Sequence, residues 1–319
     1  MKTSADDAVP ELQIPDSEFD LRAWLQLMRL PALFTAMADI FLGYLLVHRS
    51  FEMPLEFVLL LIASSGLYLS GMVFNDVFDR QIDAAERPTR PIPSGRICLR
   101  AAVRLGTALM ALGVLAAAAV GTRSLLIAAL LVLGVLGYDG LLKRTVLGPV
   151  AMGACRFLNV LLGASTAEIL WAAPQLPVAA GLGLYVAGVT WFARREAVAG
   201  NRLQLTAAAG LVNAGLLLLL GLIAGVPAEL AVFPQMGRGP SIVWLLFGVI
   251  ALTINRRLVA AVLDPAPRQV QRAVRIMLLS LITLDATFVL LGTGRPDYAL
   301  ATAALIIPAL TLGRWLFVT

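Results

Sequence analysis

The sequence predicts an all-α, polytopic transmembrane helical bundle of nine or ten spans, and three observations carry that expectation. Hydrophobic residues fill 59% of the 319 positions and charged residues only 14%. The mean hydropathy is +0.86, more apolar surface than a water-soluble chain of this length can bury. The apolar residues fall in runs of about 20, the length that crosses a ~30 Å hydrocarbon core. Finally, the basic residues gather in short connections between the runs. That pattern sets membrane topology, so the net charge of +5 does not point to a nucleic-acid partner.

Residues 1–20 are acidic and polar, the wrong composition for a signal peptide, and are expected to form a cytoplasmic tail. Residues 20–30 read as an amphipathic segment lying at the interface, with Trp24 at headgroup level. Apolar runs follow at 31–48, 55–76, 100–120, 123–140, 147–166, 175–193, 204–226, 241–256 (extendable to 263), 273–292 and 297–317. The Gly-Thr-Gly-Arg-Pro stretch at 292–296 favours a turn between the last two, which brings the count to ten. No linker or repeat interrupts the series, so residues 1–319 read as a single membrane domain. Small residues inside the runs (Gly66, Gly71, Gly134, Gly137, Gly153, Gly163) suit close helix packing in lipid.

Basic residues set the orientation. With the N-terminus inside, 19 fall on inner segments and four (Arg49, Arg123, Arg238, Arg295) on outer ones, so the positive-inside rule predicts a cytoplasmic N-terminus. A bacterial inner (plasma) membrane is the expected location. Two cysteines, Cys98 and Cys155, read as a loop and a core residue and exclude a disulfide framework. A single histidine, His48, excludes histidine-based metal sites and Ser-His-Asp catalysis. Any chemistry must use carboxylates, basic groups and a metal.

The stretch that concentrates those groups is 75–83, Asn-Asp-Val-Phe-Asp-Arg-Gln-Ile-Asp, at the end of the second run. On a helix Asn75, Asp76, Asp79 and Asp83 share one face. Carboxylates crowded there repel one another, and a divalent cation removes the repulsion; Mg²⁺ prefers hard oxygens and shares them with phosphate. The basic, proline-rich stretch 87–95 follows, placing Arg87, Arg90 and Arg96 within reach of an anion. The plainer alternative is a solvated acidic turn, with Arg80 and Arg87 pairing at i+4 with Asp76 and Asp83.

Three further groups draw attention on the same side. Tyr138, Asp139 and Lys143 close the fourth run; Lys143 could meet a phosphate, and Tyr138 or Asp139 could order it or handle a proton. An interfacial tyrosine beside topology-setting Lys-Arg is the alternative. Arg156 with Asn159 lies inside the fifth run, where an arginine is expensive and is read as facing a central cavity and an anion or carboxylate there. Arg194, Arg195, Glu196 and Asn201 lie where the sixth run emerges and offer phosphate contacts and oxygen ligands, or else form a basic loop. Asp39 and Asp285, within spans, could each pair with a basic group on a neighbouring helix.

The Asn-Asp-x-x-Asp-x-x-x-Asp pattern at 75–83, followed by Arg-Pro-x-Arg-Pro-Ile-Pro-Ser-Gly, resembles the first aspartate-rich motif of the UbiA superfamily of intramembrane prenyltransferases. The Tyr138/Lys143 loop and the run of helices are similar too. The resemblance implies a helical bundle, usually of nine spans, with a central cavity open to the cytoplasmic side. It implies prenyl transfer from an isoprenyl diphosphate in the bilayer, with Mg²⁺ as cofactor. By position, Asn75, Asp76, Asp79 and Asp83 would hold Mg²⁺ and the diphosphate, while Lys143 and Tyr138 would steady the diphosphate as it leaves. Catalysis would rest on Asp76, Asp79, Tyr138 and Lys143, with Arg87, Arg90, Asp139, Arg156, Asn159, Arg195, Glu196 and Asn201 contacting substrate. The chain departs from the pattern at the second motif, where Ala197 and Asn201 replace the usual Asp-x-x-x-Asp and Glu196 stands beside them. In that it resembles a divergent, EboC-like branch. Two other functions remain in view: an isoprenoid carrier or non-catalytic relative, and a CDP-alcohol-type headgroup transferase, whose Asp-Gly-x-x-Ala-Arg pattern is not matched at Asp139-Gly140.

Overall fold

The computed structural model describes residues 20–168, 175–194, 201–225 and 241–316; Arg195, Glu196 and the first 19 residues lie outside these. Among the described residues the regular structure is entirely helical. A short helix α1 (Leu21–Leu27) precedes α2 (Leu30–His48), α3 (Pro54–Glu86), α4 (Leu99–Val120) and α5 (Thr122–Gly137), and α5 runs on into a π-helical turn (Tyr138–Leu142). Then come α6 (Gly148–Gly163), α7 (Gln175–Ala193), α8 (Arg202–Ala224), α9 (Ser241–Leu263), α10 (Pro267–Thr293), α11 (Pro296–Ala304) and α12 (Ile306–Leu316).

Nine helical segments among the described residues are long and apolar enough to cross a membrane, with α11 and α12 counted as one. The 16-residue α6 is the shorter tenth. The predicted turn between the last two runs is present, with Gly294 at φ +67° ending α10 and Pro296 opening α11. Pro308 has no N–H for the carbonyl of Ala304, and the last segment breaks there into α11 and α12.

The interior is built on α2, α6, α7 and α10. Tyr185 Oη, wholly buried on α7, donates to Met277 O on α10 (2.9 Å). Leucines on α4, α5 and α9, such as Leu115, Leu133 and Leu252, point outward as lipid-facing surface. α2 and α6 pack backbone to backbone: a Cβ on Gly163 would stand 2.9 Å from Ile40 Cα, so only glycine permits that crossing.

The expected interfacial segment became α1, capped by Asp20 Oδ1 accepting from Ala23 N (3.0 Å). It does more than lie on a surface. Ala23 and Leu27 are fully buried against Val73 and Val77 of α3 and Ile97 and Ala102 near the start of α4. α1 therefore closes over the end of α3 that carries the acidic motif.

Candidate active site

α3 has 33 residues, about 50 Å at 1.5 Å per residue and well beyond a ~30 Å hydrocarbon core. Its surplus length carries residues 75–83 as unbroken helix, so the four polar side chains do share a face. That face splits in two. Lys143 Nζ donates to Asn75 Oδ1 (3.2 Å) and lies 2.7 Å from Asp79 Oδ1, which Arg144 also approaches at 3.4 Å. Arg90 Nη1 instead bridges Asp76 Oδ1 (3.2 Å) and Asp83 Oδ2 (2.5 Å). The solvated-helix pairs are not made: Arg80 Nη1 donates to Val77 O (3.2 Å), and Arg87 gives its backbone N–H to Asp83 O (2.8 Å).

Local backbone explains each placement. Pro88, Pro91 and Pro93 force the chain after α3 into consecutive turns, with Arg90 N–H to Arg87 O, Ser94 N–H to Arg90 O and Ile97 N–H to Pro91 O. Arg96 pins those turns by donating to Thr89 O (2.8 Å) and to Gln26 Oε1 on α1 (3.1 Å); it turns away from the acidic face. Lys143 is aimed by the π turn, closed by Lys143 N–H to Tyr138 O (2.9 Å). Such single π turns shift the register of the residues after them and recur at functional sites.

Arg29, one of the 19 basic residues counted on inner segments, is part of the site. It sits between α1 and α2 with φ +46°, and its Nη2 donates to Asp76 Oδ1 (3.0 Å). Burial works against its charge, but the adjoining Asp76 carboxylate outweighs burial and the guanidinium pKa is raised. A left-handed arginine leaves no mark in a sequence. Only its place just before Pro31, at the head of the first run, could have hinted at it.

A cavity of about 530 Å³ opens between these elements. Asn75, Asp79, Asp83 and Glu86 form one wall; Arg29, Arg87, Arg90, Lys143, Arg144 and Arg194 form the others, with Tyr138 and Thr190 between. Six cationic side chains therefore face three carboxylates on its lining. Asp76 lies just beneath, 4% exposed and held by Arg29 and Arg90. The hollow is short of negative charge and suits a polyanion.

No three acidic, histidine or cysteine side chains among the described residues converge into a ready-made metal cage. Mg²⁺ seldom needs one, since it keeps waters and binds through one or two carboxylates plus substrate phosphate. Asp76, Asp79 and Asp83 each commit a single oxygen to their ion pairs. With the Asn75 amide oxygen they supply the hard donors that Mg²⁺ selects, so the residues present fit the ion.

Not every expected residue comes to this cavity. Asp139 is buried beside the wall, 3.9 Å from Lys143. Asn201 is exposed and caps α8, its Oδ1 accepting from Leu203 N (2.9 Å). Arg156 and Asn159, expected at a central cavity with an anion or carboxylate there, are not on this cavity's lining; they engage Asp39, Thr35 and Ser64 deeper in the bundle. Arg156 did find a carboxylate, but no part of the lining of the open hollow.

The profile of the UbiA prenyltransferase family matches residues 36–268. A digeranylgeranylglyceryl phosphate synthase of Sulfurisphaera tokodaii is 31% identical over 124 residues, 39% of this chain and 45% of that protein. The same-named protein of Metallosphaera sedula is 34% identical over 125 residues, covering 39% and 44%. The matched stretch thus spans less than half the length of these curated relatives. Among solved structures, a UbiA homologue from Aeropyrum pernix aligns with TM-score 0.62 at 22% identity, covering 80% of this chain and 96% of that one. A homologue from Archaeoglobus fulgidus bound to GPP and Mg²⁺ aligns with TM-score 0.63 at 16% identity over 88% and 99%. The fold is the one those proteins share, and with the family profile covering most of its length, this integral membrane chain belongs to the UbiA prenyltransferase family.

Proposed function

We propose that the chain, as a single helical unit, transfers a prenyl group from an isoprenyl diphosphate to an acceptor within the membrane, with Mg²⁺ as cofactor. One observation carries the reading: a cavity at the end of the bundle where six cations face three carboxylates. That imbalance matches a diphosphate arriving with a divalent ion. The relatives' name, a prenyl-lipid synthase, and the isoprenyl diphosphates and Mg²⁺ bound to structural neighbours support the same choice.

Asn75, Asp76, Asp79 and Asp83 are the residues that would hold the ion. When bound, Mg²⁺ supplies positive charge against the diphosphate leaving group. Lys143, Arg87 and Arg90 donate to the phosphate oxygens as the allylic C–O bond breaks, and the arginine forks match those oxygens two at a time. Tyr138 stands on the same wall and orders the departing group. Water is kept from the resulting carbocation by the apolar bundle until the acceptor captures it. Arg195 and Glu196, which lie outside the described residues, follow Arg194 in sequence and would add to the phosphate and oxygen contacts. The departure at the second motif supports an EboC-like branch, and the preponderance of basic residues on this side supports a cytoplasmic mouth in the plasma membrane.

The test uses purified full-length protein, labelled isoprenyl diphosphates, Mg²⁺, and either an aromatic or a glyceryl phosphate acceptor. Diphosphate release should need Mg²⁺ and fall by about 100-fold or more in Asp79→Asn, as for loss of a transition-state charge contact. Saturable lipid movement without diphosphate release would replace the enzyme with a carrier.

A further inference from the structure

Deeper than the cavity, a second charged group is buried inside the bundle. Arg156 lies on α6 two turns from Pro149, which lines the cavity, or about 10 Å along the helix. It meets Asp39 of α2 and Asp285 of α10; both carboxyl groups are 0% exposed.

Both terminal nitrogens of the arginine donate elsewhere. Nη1 donates to Thr35 Oγ1 (3.3 Å) and Nη2 to Thr35 O (2.8 Å), while Nε stands 2.9 Å from Asp39 Oδ2 without the alignment of a hydrogen bond. Asp39 Oδ2 also accepts from Asn159 Nδ2 (2.8 Å), and Ser64 holds that amide through its Oδ1 (2.7 Å). Asp285 has no such support. Arg156 Nη2 is 4.0 Å away, and neither Asp285 oxygen has a hydrogen-bond donor, nor does Asp39 Oδ1. Both carboxyl groups thus stand on one guanidinium, Asp39 Oδ2 at 2.9 Å from Nε and Asp285 Oδ2 at 4.0 Å from Nη2.

Two carboxylates sharing one guanidinium, the second without a protein donor, would be a costly arrangement at this depth. With both ionised, the group would carry a net charge of −1. Tyr68 of α3 and Tyr185 of α7, the other titratable side chains around it, bring no positive charge, and Tyr185 already donates to Met277 O. One proton removes every difficulty. It cancels the excess charge and gives Asp285 a donor of its own.

We propose that Asp285 is a buried proton site: it holds a proton as a carboxylic acid, while Asp39 alone carries the charge that faces Arg156. The group is then neutral and ties α2, α6 and α10 together at the depth where lipid surrounds the bundle. This assignment does not depend on the proposed reaction.

Infrared spectroscopy of the full chain tests it directly. At neutral pH the wild-type protein should show a protonated-carboxyl C=O stretch that Asp285→Asn removes and that Asp139→Asn, the control for the acid buried beside the cavity, does not. Asparagine is uncharged, as the protonated acid is, so Asp285→Asn should keep Tm within about 2 °C of wild type, whereas Asp39→Asn, which strips Arg156 of its partner, should lower it by on the order of 10 °C. Absence of the band, its survival in Asp285→Asn, or equal destabilisation by the two variants would overturn the assignment. A Tm that rises with sodium and no carboxyl band would also overturn it, by placing a metal cation there instead. If Asp39→Asn does not fold, the spectra of wild type and Asp285→Asn decide alone.

Discussion

Arg90 occupies the acidic face that the proposed function gives to Mg²⁺, so replacing it should move metal binding and turnover in opposite directions. Its Nη1 is the cation shared by Asp76 (3.2 Å) and Asp83 (2.5 Å), and Arg90 is the ion-pair partner of Asp83. A charged hydrogen bond contributes about 1.5–3 kcal/mol. With one fifth of the arginine side chain exposed, a discounted 1–2 kcal/mol is a fair order of magnitude here. An incoming ion must displace that contact. Arg90→Gln removes the competitor, and the apparent Kd for Mg²⁺ should tighten by about 5- to 30-fold, the same energy expressed as affinity. Turnover should fall, because the fork that would grip the phosphate is gone; kcat/KM should drop by roughly 100-fold. Titration calorimetry with Mg²⁺ and steady-state diphosphate release measure the two quantities on one preparation. Arg90→Lys keeps the charge without the fork, so its metal affinity should stay near wild type while kcat/KM falls. Unchanged or weaker Mg²⁺ binding in Arg90→Gln would refute the reasoning, since the arginine would then not be competing for those oxygens.

Packing and topology give two further expectations. Gly163→Val should lower Tm by several degrees, on the order of 2–3 kcal/mol, because the new Cβ would meet Ile40 Cα at 2.9 Å. Gly210→Ala, where a Cβ meets nothing within 4 Å, should leave Tm unchanged or raise it slightly; equal losses in the two would refute the close α2–α6 crossing. Cys98 is exposed at the start of α4, on the side of the proposed cytoplasmic mouth. A membrane-impermeant maleimide should label it only after cells are permeabilised, with Cys98→Ser as the blank, and labelling of intact cells would reverse the orientation.

The spans and the acidic motif were legible because they rest on local rules: apolar run length, and the 3.6-residue period that puts Asn75, Asp76, Asp79 and Asp83 on one face. Lys143 was legible for the same reason, as a cation following a tyrosine at a helix end. Which cation meets which acid was not legible. The spacing suggested Arg80 with Asp76, whereas tertiary structure gives Asp76 to Arg29, which is 47 residues away and held by a left-handed backbone that no residue type announces. Arg156 marks the same limit from the other side. Its cost inside a span signalled that it must have a partner, and Asp39 and Asp285 were the acids within spans able to supply one. What a sequence does not hold is the depth of each residue along crossing helices, and depth separates Arg156 from the open hollow.

Two compartments of one bundle thus carry opposite imbalances, and each imbalance names its occupant. At the cavity three carboxylates face six cations, and water can enter, so the deficit of negative charge can be met from outside by an arriving polyanion and its ion. Around Arg156 two carboxyl groups, both 0% exposed, face one cation, so the excess is met by something small enough to reside on the carboxyl group itself. A proton needs no room, and it removes the repulsion between Asp39 and Asp285. The same arithmetic explains why arginine serves at both depths: it stays charged under any burial, so in each compartment the carboxyl groups, the metal or the proton must adjust around it.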